Sequence, residues 1–464
     1  MLLRQITLAA VLAVASLSAQ VPDFTPPTPL FGAVLRNDIA DAKKLLASGA
    51  NPNEGRFLGA PAIFIALMQH NDALTQALID GGADVKLTDG AGSSTLMWAA
   101  MSETGDATIT RELLRRGVDP NVVNKMGESA LTWALRRGHT PIVAALKAAG
   151  ASDGPMIRQS VEKAVALLAK SGPQFAKVSS CSSCHNQSLP QMAFKVAKDH
   201  GFTVDPQVSE AQTKAVIALF RPVRDIMLAG KENIPDPAIS VSYSLVGLAA
   251  EGYQADDTTA AMAHLVSLQQ NPDGSFRCFV ARPPMESSPI TAAALSLRAL
   301  QVYGKDSERQ IDKARGWLLT TKPETNEEHV MKVLGLVWSK AKASDIKAAA
   351  AELAKLQHVD GGWSQLPLIE SDAYATGAAL VALHMAGFVA TKDEAYERGA
   401  GFLLRTQNPD GSWLVRSRAF PFQPYKESGF PHGKHQWISA AGTSWAVMAL
   451  SLSTPATTQI SQLF

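Results

Sequence analysis

Apolar residues in the first third of the chain fall in short helical stretches that end on glycine and restart after a fixed interval. Leu45-Leu46-Ala47-Ser48-Gly49-Ala50-Asn51 is echoed by Leu78-Ile79-Asp80-Gly81-Gly82-Ala83-Asp84. It returns as Leu113-Leu114-Arg115-Arg116-Gly117-Val118-Asp119 and again as Ala148-Ala149-Gly150-Ala151. Gly49, Gly82, Gly117 and Gly150 stand 33, 35 and 33 residues apart. Such a period predicts stacked helix pairs, each helix closed by a glycine in the left-handed region. New helices should open at Thr28-Pro29-Leu30-Phe31, Ala60-Pro61-Ala62-Ile63, Ser94-Thr95-Leu96-Met97 and Ser129-Ala130-Leu131-Thr132.

From about Pro155 the period changes. Amphipathic helices over 259–269, 346–356 and 395–406 each run into a corner of one kind. The corners are Gln270-Asn271-Pro272-Asp273-Gly274-Ser275-Phe276, Gln357-His358-Val359-Asp360-Gly361-Gly362-Trp363 and Gln407-Asn408-Pro409-Asp410-Gly411-Ser412-Trp413. Asp and Gly make a tight turn, Gln can bond backbone groups at a helix end, and the aromatic packs over the turn. Helices apolar nearly all round then come after the corners, as at 373–386 and 437–450, and these should be buried. An amphipathic helix over 160–169 should end at Ser171-Gly172-Pro173.

Residues 27–153 resemble the ankyrin repeat family in period and in the Gly-Ala-Asp turns, with Phe31, Ile63, Met97 and Thr132 where that family places histidine. The resemblance implies a solenoid that binds a protein partner; a plain structural spacer is the other reading. Residues 157–453 resemble the squalene and oxidosqualene cyclases in their Gln-Trp corners and in Thr443-Ser444-Trp445-Ala446-Val447-Met448-Ala449-Leu450. That resemblance implies an all-α chain ending in an α/α toroid whose inner helices run parallel. The acid motif Asp-x-Asp-Asp of those enzymes is not matched, since Gln254-Ala255-Asp256-Asp257 lacks the first Asp. No prenyltransferase-type zinc set is seen either, so isoprenoid processing is the least favoured activity and no cyclase activity is expected.

The sharpest chemical signal is Cys181-Ser182-Ser183-Cys184-His185. Two thiols and an adjacent imidazole are the attachment set of haem c: thioether anchors from Cys181 and Cys184, an axial ligand from His185. A Cys181–Cys184 disulfide, a redox dithiol and half a zinc site are the competing readings. His432, His435 and Met285 are candidates for the second axial position, against ordinary roles as surface histidines and a core methionine. Arg282, Glu286, Glu370, Asp372 and Glu427 fall in loops expected at the toroid's mouth, where they could hold a ligand or simply cap helices.

Composition narrows the partners. A net charge of +1 with 18% charged residues gives no polyanion-binding surface, so nucleic acid is excluded as a partner. Arg4, the apolar run over 6–17 and the small residues before Val21-Pro22 read as a signal peptide over 1–19. No other apolar run could cross a bilayer, so a secreted or periplasmic mature chain without a transmembrane segment is expected. Together these features suggest an exported binding protein carrying haem c, with a role in electron transfer or redox sensing. The alternative is a haem-free scaffold for a protein, or for an apolar small molecule in the toroid.

Overall fold

The computed structural model describes residues 26–56, 59–138, 140–151, 154–179, 183–231, 234–278, 282–420 and 426–457. The segment read as a signal peptide, and Cys181 with Ser182, lie outside these residues. The chain divides into two compact units between Pro155 and Met156. The described regular structure is helical, with only isolated β-bridges besides.

The first unit is four helix pairs: α1 (Pro29–Leu35) with α2 (Ile39–Ala47), α3 (Ala62–Met68) with α4 (Asp72–Asp80), α5 (Thr95–Ala99) with α6 (Thr108–Arg115), and α7 (Ala130–Leu135) with α8 (Pro141–Ala148). The openings lie where the sequence puts them. Thr28, Ser94 and Ser129 accept backbone N–H bonds at three of them, and Pro61 leads the fourth. Gly49, Gly82, Gly117 and Gly150 have φ between +76° and +90°, a region that costs a side-chain-bearing residue about 1 kcal/mol or more. Phe31, Ile63 and Met97 are buried, so the apolar replacements fill the core between repeats. Asn53 ties the first repeat to the second and Asn121 the third to the fourth, donating to the carbonyls of Gly82 and Gly150 at 3.0 Å.

The second unit opens with α9 (Gly154–Ser179). The expected stop at Ser171-Gly172-Pro173 is not used. Gln187 donates to the Gly172 carbonyl at 3.0 Å and the Ser171 hydroxyl turns back on Leu168, so side chains serve the backbone around the proline. Next come α10 (Leu189–Asp199), α11 (Pro206–Phe220), α12 (Arg224–Leu228), α13 (Pro237–Ala250), α14 (Asp257–Ser267), α15 (Pro289–Tyr303), α16 (Glu308–Thr320), α17 (Asn326–Trp338), α18 (Ala343–Ala354), α19 (Ala373–Met385), α20 (Glu394–Thr406) and α21 (Gln436–Leu452). Helices α10, α13, α15, α17, α19 and α21 pack each on the next, and α21 returns onto α10, closing an inner ring.

The Gln-aromatic corners lock the outer helices to one another. Each glutamine bonds its own corner glycine and a carbonyl in the first turns of another outer helix. Gln270 reaches Gln310 at 2.8 Å, Gln357 reaches Ala395 at 2.7 Å, and Gln407 reaches Ser160 of α9 at 3.0 Å. The last bond joins the end of the ring to its start. Trp363 and Trp413 are fully buried and donate to Leu353 and Leu403. Gly411, at φ +92°, lies so close to Lys163 that a Cβ would come within 2.8 Å of its backbone.

Candidate functional site

The N-terminal ends of the inner helices meet at one mouth. Ser288, ahead of α15, donates to Glu328 of α17, and Asn326 donates to the Ala375 carbonyl of α19. The haem-type segment enters here. Residues Cys184–Ser188 form a single π-turn that runs directly into α10, with Ser183 accepting from Asn186 at its start.

Cys184 is buried, and its thiol points to the Glu286 carboxylate at 3.7 Å. Burial, and then the charge of Glu286, push that thiol well up, so it stays protonated. Glu286 is itself buried and ion-paired with Arg282, and desolvation raises its carboxyl. His185 stands edge-on between Phe175 and Trp437, each ring centroid 5.6 Å away. Desolvation, reinforced by Arg282, lowers its pKa to about 3, leaving a neutral imidazole. Cys278 faces Asp236 at 3.7 Å, and burial, with the charge of Asp236, pushes its thiol up to about 12.

The other mouth candidates divide. Asp372 caps α19, accepting from Ala375, and is linked through Gln365 to Arg418; desolvation raises it to about 6. Glu370 is exposed, and Glu427 accepts from the Gly429 N–H. Met285 is buried in the core. The two histidines are not free surface groups. His432 pairs with Ser412 of a corner at 2.7 Å, and His435 accepts from the Ser417 N–H at 3.1 Å. Asp256, of the incomplete acid string, caps α14.

One acid was missed by sequence reasoning. Glu327, in the first turn of α17, is fully buried inside the ring and takes a hydrogen bond from the Tyr374 hydroxyl at 3.1 Å. Desolvation lifts its carboxyl to about 8, so it is neutral at pH 7. A recognisable signal exists: Glu324-Thr325-Asn326-Glu327-Glu328 spans the start of an inner helix, and Glu286, Glu370 and Glu427 stand in the loops ahead of three others.

In the first unit, Trp98 and Trp133 stack edge to face at 5.5 Å, their indole N–H groups held by Asp89 and Glu128. A family model for ankyrin repeats matches residues 30–121 and 96–171. The N-terminal region is an ankyrin-repeat array. It is similar to the ankyrin repeat protein YahD of Escherichia coli (strain K12), 34% identical over 25% of this chain and 57% of that protein. The C-terminal part is distantly similar to drimenyl diphosphate synthases. That of Streptantibioticus cattleyicolor is 28% identical over 40% of this chain and 37% of its own. That of Streptomyces showdoensis is 29% identical over 34% of this chain and 32% of its own. The chain thus spans less than two thirds of each of these relatives.

Proposed function

We propose that this is an exported interaction protein: the ankyrin array docks a protein partner, and the mouth of the helical ring carries haem c on Cys181, Cys184 and His185. The observation that carries the haem reading is His185, held neutral between Phe175 and Trp437 one residue after a protonated thiol. A neutral imidazole is the form that ligates iron, and a thiol is the form that adds across a vinyl group. Of that donor set, Cys184 and His185 lie among the described residues and are adjacent at the mouth. Cys184 and His185 would hold the group, Phe175 and Trp437 would keep water from one side of the imidazole, and Arg282 with Glu286 would set the charge beside the thiol. When bound, haem would supply one-electron chemistry at iron. The test is full-length protein exported alongside a haem-attachment system. Covalent, denaturation-resistant haem that disappears in Cys181→Ala/Cys184→Ala supports the reading. A colourless product with a Cys181–Cys184 disulfide by mass overturns it in favour of the scaffold.

A second reading is favoured by Glu327 and by the similarity to drimenyl diphosphate synthases: acid handling of an isoprenoid inside the ring. It revives an activity that the missing Asp-x-Asp-Asp string argued against. Incubation with farnesyl diphosphate should then give a cyclised product with the wild type and none with Glu327→Gln.

A further inference from the structure

Between the third and fourth helix pairs of the first unit lies an open cleft of about 430 Å³, lined by Glu103, Gly105, Arg136, Arg137, Thr140 and Pro141. The longer interval from Gly82 to Gly117 makes room for it. Residues 100–107 join α5 to α6, where 36–38 and 69–71 suffice in the first two pairs. Gly105, at φ +70°, packs this longer connection against the opening of α8, and a Cβ there would come within 3.3 Å of Thr140.

Two donors in this cleft are under-used. The Arg137 side chain is only 20% exposed, and its hydrogen bond among the described residues runs from Nη2 to Glu103 at 3.3 Å. Glu103 is 78% exposed, so water screens the pair and it holds little. Arg137 Nε is buried and makes no hydrogen bond, so half of the guanidinium fork is idle. The Thr140 hydroxyl is likewise buried without a hydrogen bond. It stands at the N-cap of α8 yet takes none of that helix's N–H groups, unlike Ser129 at α7. Arg136, by contrast, is held by Glu128, which also takes Trp133 and Asn124.

The complement of an idle guanidinium edge is a carboxylate, which takes Nε and Nη2 together as a bidentate pair. The Thr140 hydroxyl and the positive end of α8 line the same cleft and favour a negative group there. An incoming carboxylate replaces Glu103 charge for charge. A phosphate dianion would instead bring a second negative charge toward Glu103 and Glu128, so the monoanion is the better match. We propose that this cleft receives an Asp or Glu side chain of the docked protein partner, anchored on Arg137, with Glu103 as the internal acid it displaces. The proposal rests on the reading of the array as a docking surface and does not depend on haem at the mouth of the ring.

The test uses the full chain and two fluorescein-labelled hexapeptides, one alternating Gly with Glu and the other Gly with Gln. Binding is followed by fluorescence anisotropy at low ionic strength. The acidic peptide should bind about ten-fold more tightly than the neutral one. Arg137→Lys keeps the charge but loses the fork, and should remove most of that preference. Glu103→Gln removes the competing acid, and should tighten acidic-peptide binding about two- to five-fold. Both variants should melt close to the wild type, since the pair they alter is screened by water. Equal binding of the two peptides would overturn the proposal, as would an unchanged preference in Arg137→Lys or weaker binding by Glu103→Gln. The docking reading is checked apart, by cross-linking the wild-type chain in an extract of its own cells, so the two can fail separately. A partner cross-linked equally by wild type and Arg137→Lys would uphold docking and overturn this site.

Discussion

Replacing Trp413 by Ala tests whether the Gln-aromatic corners hold the ring closed. The indole is 1% exposed, donates to the Leu403 carbonyl at 2.8 Å, and sits in the corner whose glutamine reaches back to Ser160. A buried tryptophan hides about 200 Å² of mostly apolar surface, which at about 25 cal/mol/Å² is about 5 kcal/mol. That is an upper figure, because the unfolded chain already covers part of the surface. The lost hydrogen bond adds about 1 kcal/mol, and partial collapse around the site returns a similar amount. The expected cost is about 4 kcal/mol. Urea unfolding followed by circular dichroism should show it as a lowered midpoint of the ring's transition, with the ankyrin transition unmoved. Gln407→Ala, which removes two hydrogen bonds but little volume, should cost about 1–2 kcal/mol. A Trp413→Ala cost below about 1 kcal/mol, or one smaller than that of Gln407→Ala, would refute the packing argument.

Three further outcomes are expected of the same structure. Glu327 rises from 4.5 to about 8 on folding, so the folded state binds more protons across that window and stability falls as pH climbs through it. Glu327→Gln should lose less stability than the wild type between pH 5 and 8, and parallel curves would refute the burial argument. His185→Ala, made with a haem-attachment system, should retain less haem and show an altered spectrum; an unchanged spectrum would remove His185 as the axial ligand. Residues 27–153 expressed alone should melt cooperatively as a helical protein, whereas a low-helicity product would show that the array needs the second unit in order to fold.

The parts of the fold that could be read in the sequence are those fixed by local rules. The repeat glycines announce themselves because a backbone with φ near +80° selects glycine, and the openings at Thr28, Ser94 and Ser129 because a cap needs a short hydroxyl side chain. The corners were legible for the same reason: a tight turn, a glutamine and an aromatic must lie within seven residues. Pro173 misled because its cost is local, whereas the groups that accommodate it come from Gln187, on the far side of a segment whose position no local rule supplies.

Glu327 shows where local reading stops. Its neighbours Thr325 and Glu328 form a capping box, with the Thr325 hydroxyl and the Glu328 carboxylate each taking a backbone N–H, and an acid between them looks like one more first-turn charge. A helix's first turn can face solvent or a ring's interior with the same sequence. Only the closure of six inner helices decides which, and it turns Glu328 toward Ser288 while Glu327 goes inward to Tyr374. The same closure brings Tyr243 and Tyr374, from two other inner helices, to that acid. A motif search looks for acids at fixed spacing, so it could reject the Asp256 string but had no means of finding an acid assembled by topology. For a scaffold built of parallel inner helices, the useful question is therefore which residues start each helix and face the centre, and at α17 the answer is a neutral carboxyl group that takes a hydrogen bond from Tyr374.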